Sequence, residues 1–147
     1  SPRLPAMTNS TPWLRGSLLA LMLLVTACGG GGDDVGTERQ PEVAVAEEFD
    51  AEWSRNATEL RGNDGERYAY TCPPAGSASS VWGTGPYTDD SSVCTAAVHA
   101  GLITFDDGGR VVFEIEPGLE AYPEGEANGV AASSWPSWPG SFSFVSR

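Results

Sequence analysis

The sequence has no lysine. All 8 of its cationic side chains are arginines, against 20 aspartates and glutamates, and the formal net charge is −12. Removal of a leader that carries Arg3 and Arg15 would leave six arginines against the same 20 acids. Proteins bind nucleic-acid phosphates through clustered lysines and arginines. The sequence therefore argues against nucleic acid as a partner.

Long apolar runs are equally scarce. The clearest, "LLALMLLVTA" at residues 18–27, follows Arg3 and Arg15. It has about half of the roughly 20 residues that a membrane-spanning helix needs. A short apolar run behind positive charges is typical of a signal peptide. The sequence predicts a signal peptide over residues 1–27, with Met7 as the first translated residue.

The end of this run, "LVTAC", resembles the lipobox of bacterial lipoproteins. The resemblance implies cleavage before Cys28 and acylation of its thiol, which with a second acyl chain would anchor the protein to a bilayer without crossing it. Gly29 favours the outer membrane, on its periplasmic or surface face. The alternative is an ordinary secretory signal in which Cys28 is incidental.

Cysteine is also rare, with 3 residues in the chain. If Cys28 is acylated, Cys72 and Cys94 remain as an even pair in an exported and oxidising compartment. The sequence predicts a disulfide between them, whereas two free buried thiols are the alternative.

Composition divides the remainder into two parts. Residues 28–48 are rich in glycine and acids and predict a flexible tether, and residues 49–147 are expected to form the domain. Alternating strands are predicted at "RYAYTC" (67–72), "VVFEIE" (111–116) and "SFSF" (141–144). The buried faces are expected to carry Tyr68, Tyr70, Cys72, Val111, Phe113, Ile115, Phe142 and Phe144. "DDGG" at 106–109 predicts a hairpin turn between 102–105 and 110–115.

One helix is predicted, over residues 91–100 within "YTDDSSVCTAAVHAG". Asp90 or Ser91 can cap its first turn, and Gly101 ends it. Its side chains are small on both faces, which favours a position packed among strands.

Histidine occurs once, as His99. A catalytic pair would need a nucleophile within about 3 Å of the imidazole. In a helix, Ser92 is too far along the axis, Cys94 points elsewhere, and Thr95 is expected to bond to the preceding turn. A structural hydrogen bond is therefore expected of His99. One histidine supplies no zinc site, and turn residues are preferred over a weak calcium site at Asp106 and Asp107.

The longest motif, "SSVWGTGPYTDDSSVCTAAVHAGLI", together with "YTCPP", "NGV" at 128–130 and "SF" at 141–142, resembles an LCCL domain. The upstream "WSRNATELRGNDGERYAYTCP" resembles the form that this domain takes in bacterial proteins, so the resemblance extends over residues 53–145. It implies an α+β fold in which a single central helix is wrapped by antiparallel strands. It also implies an extracytoplasmic, non-enzymatic binding or assembly module without a cofactor. The sequence departs from animal members in having two domain cysteines where they have four.

The resemblance raises lipopolysaccharide as a ligand, since some animal members are associated with it. Residues 68–147 hold two arginines, Arg110 and Arg147, against nine acids, which argues against anionic lipid A phosphates. A local cationic patch at Arg55, Arg61 and Arg67 stays open.

Neutral glycan fits the composition better, because aromatic rings offer flat apolar faces with polar edges. The candidate rings are Trp82, Tyr87, Tyr122, Trp135 and Trp138. Trp82 is expected in the core, and the predicted ligand-binding residues are Trp135, Trp138 and Tyr87. A module that binds an envelope protein is the alternative.

Overall fold

The computed structural model describes residues 41–146. In chain order its elements are β1 (Glu47–Asp50), a 3₁₀ segment (Thr58–Leu60), β2 (Arg67–Cys72), β3 (Tyr87–Thr88), α1 (Val93–His99), β4 (Gly109–Pro117), β5 (Ala121–Tyr122), β6 (Gly125–Ala127), β7 (Val130–Ala132), β8 (Trp135–Pro136) and β9 (Gly140–Phe144). Helix α1 packs against β2 and β7. The predicted α+β fold with a central helix is therefore confirmed.

A five-stranded sheet carries most of the core, in the order β1-β2-β4-β9-β3. Neighbouring strands are antiparallel except β1 and β2, which are parallel. Burial alternates along β4 as predicted, with Val111, Phe113 and Ile115 buried and the residues between them partly exposed. The ring of Phe113 lies 4.8 Å from that of Tyr70 and 5.5 Å from that of Phe142, so β2, β4 and β9 share one aromatic layer.

Helix α1 is shorter than predicted. It spans Val93–His99, and its N-cap is Ser92, whose hydroxyl accepts the Thr95 N–H, instead of Asp90 or Ser91. The prediction of 91–100 failed at the start because the hydroxyl of Ser91 is bonded to the loop at Trp82 and is not free to cap. All seven helical residues are buried, so the helix has no solvent face.

The predicted disulfide is confirmed. Cys72, at the end of β2, is bonded to Cys94, in the first turn of α1, with Cα atoms 5.8 Å apart. Two small residues that follow Cys94 in the helix, Ala96 and Ala97, are fully buried. The bridge therefore fixes the first turn of the helix to the end of β2.

The prediction of a hairpin around "DDGG" is wrong for its first strand. Residues 102–105 form no strand, and a single bridge joins Thr104 to Gly108. The Thr104 hydroxyl donates to Asp107 and accepts the Asp107 N–H, which closes the turn through side chains. The Phe105 carbonyl is bonded to Gly76 N–H. These competing bonds leave no ladder for a second strand.

The first strand begins inside the predicted tether. Glu47 and Glu48 belong to β1, which pairs with β2 from Glu47 to Asp50. The Arg110 guanidinium lies 3.1 Å from the Glu48 carboxylate and helps hold β1 at the edge of the sheet. Composition placed the boundary at 48 because strand residues with acidic side chains look like tether residues in sequence.

Asp89 is a fully buried carboxylate at the centre of the polar contacts. Arg61 donates to both of its oxygens, from Nε over 2.6 Å and from Nη2 over 2.7 Å, and the Trp138 indole N–H donates to Oδ1 over 2.8 Å. The Asp89 N–H also donates to the Gly140 carbonyl, and a Cβ at Gly140 would overlap the carboxylate. Three distant segments therefore meet at one charged group.

Asp89→Asn should lower the free energy of unfolding by about 2–3 kcal/mol, because removal of one partner leaves a charge and an indole donor without an ionised acceptor, while Arg61 keeps part of its hydration. Denaturant unfolding measures this change. Asp90→Asn is the matched control, with an expected change within about 0.5 kcal/mol. Equal effects of the two substitutions would contradict the role assigned to Asp89.

Candidate functional site

Trp135 and Trp138, the two tryptophans predicted to bind ligand, lie next to each other, with Trp135 exposed and Trp138 partly buried. Trp135 in β8 is 40% exposed, and its ring lies 6.2 Å from that of Trp138 at an angle of 80°. Trp82, expected in the core, is only partly buried and lies 5.8 Å from Trp135. We call Trp82, Trp135, Trp138 and the 40%-exposed Leu119 the aromatic surface.

Tyr87 does not belong to this surface. It is 2% exposed and its ring is stacked on Phe142 at 5.6 Å. Tyr87 was predicted to bind ligand at the surface, but its side chain lies in the core. The reason is that β3 is only two residues long and pairs with β9, which turns the Tyr87 ring into the core.

His99 makes the expected structural hydrogen bond. Its Nδ1 lies 2.9 Å from the Tyr87 hydroxyl, and burial raises the pKa of Tyr87 to about 12. The imidazole tautomer decides which of these two atoms donates the proton. Within residues 41–146, Nε2 has no hydrogen-bond partner. No serine or threonine hydroxyl is bonded to His99, so the described residues do not form a nucleophile–base pair there.

Hydroxyl groups at the start of α1 hold the neighbouring loop. Ser92 Oγ donates to the Trp53 carbonyl, and Thr95 Oγ1 accepts the Ser79 N–H over 3.0 Å. Ser91 Oγ accepts the Trp82 N–H over 2.9 Å, and the Ser92 N–H donates to the Ser80 carbonyl. These bonds position residues 78–82, which we call the 78–82 segment.

A cleft of about 520 Å³ separates the 78–82 segment from β7. It is lined by Ala78, Ser79, Ser80, Val81, Trp82, Ala131 and Ser133. Trp82 lies both in the wall of this cleft and in the aromatic surface, so the two features adjoin. The volume falls in the range of about 300–1,000 Å³ that is usual for small-ligand sites.

Every arginine in the part of the chain that the structure describes is engaged by a carboxylate. The pairs are Arg55 with Glu59, Arg61 with Asp89, Arg67 with Glu114, and Arg110 with Glu42 and Glu48. The hydrogen bond to Asp89 raises the pKa of Arg61, and its guanidinium also lies over the Trp138 ring at 5.5 Å. The patch at Arg55, Arg61 and Arg67 is thus neutralised from within.

Residues 41–146 contain no cluster of three or more metal-ligating side chains. Asp107, weighed as a weak calcium ligand, is bonded to Thr104 in the turn. No helix in the same range is long and apolar enough to span a bilayer. Cys28, the predicted acylation site, lies outside the described residues.

The sequence did not identify three features of this region: the buried Asp89, the exposure of Trp82 and the cleft. A signal for the first was available, since Asp89 precedes a run of small buried residues where a charge needs a partner. The other two depend on how residues 78–82 and 131–138 approach each other, which local patterns do not encode.

Several known proteins are similar to this chain over part or most of its length. Mouse vitrin is 40% identical over 62 residues, covering 42% of the chain, and human cochlin is 41% identical over 63 residues, covering 43%. Clotting factor C of Tachypleus tridentatus is 28% identical over 142 residues, covering 95% of the chain. The aligned regions make up 9%, 11% and 14% of these relatives, so the chain spans a small part of their length.

The family profile described as "LCCL domain" matches residues 48–142. This range begins within β1, includes β2 to β8, the disulfide, α1 and the aromatic surface, and ends within β9. The resemblance inferred from the motif around α1 is confirmed, and the chain belongs to the LCCL domain family.

Proposed function

We propose that this chain is a non-catalytic binding module that takes neutral glycans on its aromatic surface. The observation that carries the proposal is the exposure of Trp135 next to Trp82 and Trp138, beside a cleft whose wall contains serines. Sugar rings present apolar faces between hydroxyl groups, so aromatic faces and polar edges complement them.

The charge distribution supports a neutral ligand over an anionic one. Phosphate recognition uses arginines or lysines whose donors point at the ligand. The four arginines in residues 41–146 already pair with carboxylates, and the chain as a whole has a formal net charge of −12. An anionic ligand such as lipid A would have to compete with a carboxylate at each of these arginines, and at Arg61 that carboxylate is buried.

The hydrogen bonds of the hydroxyl groups and of His99 support a non-catalytic role. The hydroxyls of Ser92 and Thr95 bond the loops around α1, and His99 is bonded to Tyr87. Each of these polar groups therefore serves the fold. A nucleophile would instead need a base at hydrogen-bond distance with both groups open to a substrate.

The second proposal concerns location, and it rests on sequence. Residues 1–27 would be a bacterial lipoprotein signal peptide, Cys28 the acylated residue and residues 28–48 most of a tether. Acyl chains on Cys28 would hold the domain at the cell envelope, most simply at the outer membrane. The family relatives named above are animal proteins, so the lipobox sequence is the whole support for this part.

A protein ligand is the alternative occupant of the same surface. Leu119 and Trp135 are each 40% exposed, and exposed apolar groups that lie together often mark protein interfaces. The backbone N–H of Trp138 donates to the Leu119 carbonyl. This bond holds Leu119 next to the segment that carries Trp135 and Trp138. Removal of glycans from an envelope extract separates the two ligands, since capture of a protein partner would survive it.

Trp135→Ala should weaken binding of a neutral trisaccharide by at least tenfold, which corresponds to about 1.4 kcal/mol, because an exposed aromatic anchor is removed. Calorimetry with N-acetylglucosamine, glucose and mannose trisaccharides measures this. Leu102→Ala removes a 48%-exposed apolar side chain outside the aromatic surface and should leave the affinity unchanged. Binding that is unaffected by Trp135→Ala, or absent for all three sugars, would contradict the glycan proposal.

Expression in a bacterial host tests the anchor separately. The chain without a substitution should partition into detergent and gain the mass of a lipid. The Cys28→Ser variant should remain in the aqueous phase without that gain. Detergent phase separation measures the first property, and mass spectrometry of the N-terminal peptide measures the second. If the unmodified chain carries no lipid on Cys28, the lipoprotein proposal is wrong, and the glycan proposal is unaffected.

A further inference from the structure

The outer edge of β7 is only partly paired. Asn128 and Gly129, with φ of 50° and 75°, form a two-residue turn between β6 and β7. In such hairpins the residues flanking the turn exchange both backbone bonds, and the next pair directs its groups outward. That next pair is Glu126 and Ala131. The N–H and C=O of Ala131 therefore point away from β6, towards the cleft.

The opposite wall offers a matching backbone donor. Ser133 N–H donates to the Val81 carbonyl over 2.9 Å, and Gly83 N–H donates to the Ser133 carbonyl over 3.0 Å. In an extended segment the N–H and C=O of one residue point to the same side. The Val81 N–H therefore faces β7 as well. Within the described residues it has no hydrogen-bond partner.

The two walls separate for an identifiable reason. A continued ladder would bring Val81 N–H to the Ala131 carbonyl. Instead, Thr95 Oγ1 accepts the Ser79 N–H and Ser92 N–H donates to the Ser80 carbonyl, which holds the 78–82 segment against the start of α1. The cleft is thus a gap between β7 and the 78–82 segment, which is held in place by the Thr95 hydroxyl and the backbone N–H of Ser92.

We propose that this cleft is a sugar subsite, taking one hydroxyl-rich neutral ring of a glycan whose next ring lies on Trp135. The inference rests on the proposed glycan function and adds the cleft to the aromatic surface as a second part of the same binding site. Hydroxyl groups donate and accept, so they match the mixed set presented by Val81 N–H and the backbone of Ala131. Trp82 stands between the cleft and Trp135, 5.8 Å from the latter ring.

An inserted peptide strand fits these walls less well. A strand needs a row of alternating donors and acceptors along an open edge. Here the ladder is already closed at Ser133, and Ser79 N–H and the Ser80 carbonyl are bonded to the helix. Only the short stretch at Val81 and Ala131 stays open, which suits a single ring.

The dependence of affinity on the length of the glycan gives the test. With the full chain, affinity should rise at least tenfold from monosaccharide to trisaccharide in the series that binds. Ala131→Phe and Ala78→Phe each enlarge a residue that lines the cleft, on opposite walls, and each should remove that rise. Ala46→Phe, an exposed alanine beside β1, is the matched control and should retain it. Circular dichroism and thermal melting check that each variant is folded.

Amide NMR of the unmodified chain provides a reading that needs no variant. Trisaccharide should shift the Val81 and Ala131 amide signals, while the buried Phe113 amide in β4 stays unchanged. If the indole signals of the aromatic surface move but these two amides do not, the subsite is wrong and the glycan function stands. If no oligosaccharide moves any of them, both proposals are overturned.

Discussion

The buried carboxylate of Asp89 is the constraint on which the rest of the structure depends. A charge without solvent requires partners, and here they come from Arg61 and Trp138, which lie 28 and 49 positions away in sequence. The chain must therefore bring the 3₁₀ segment, the loop before α1 and the loop before β9 to one point. Gly140 is needed at that point because any side chain would occupy the space of the carboxylate.

The same geometry connects the scaffold to the aromatic surface. Trp138 is fixed through its indole N–H, and Trp135 lies against it three residues earlier on β8. On the other side, hydroxyls of Ser91 and Thr95 hold the 78–82 segment, and so place Trp82. Polar residues of "DDSSVCTAAVHAG" thus bond to the segments that carry Trp82 and Trp138, and so set the positions of these two rings.

Sequence reasoning succeeded where a local pattern carries the information. Alternation located the buried faces of β2 and β4, and the even pair of cysteines gave the disulfide that joins β2 to α1. It failed where contacts are distant. Ser92 and not Ser91 caps α1, because Ser91 is bonded to a loop nine residues away. Tyr87 was expected on the surface because two residues of strand show no periodicity that would reveal its buried side.

Hydrogen exchange of the indole N–H groups tests the central claim most directly. If the buried Asp89 holds Trp138 in place, the Trp138 indole N–H should exchange only at the rate of global unfolding, while the exposed Trp135 indole exchanges at once. Two-dimensional NMR in deuterated buffer resolves the two signals. Equally fast exchange of both indoles would contradict the account, since Trp138 would then not be tied to the buried charge.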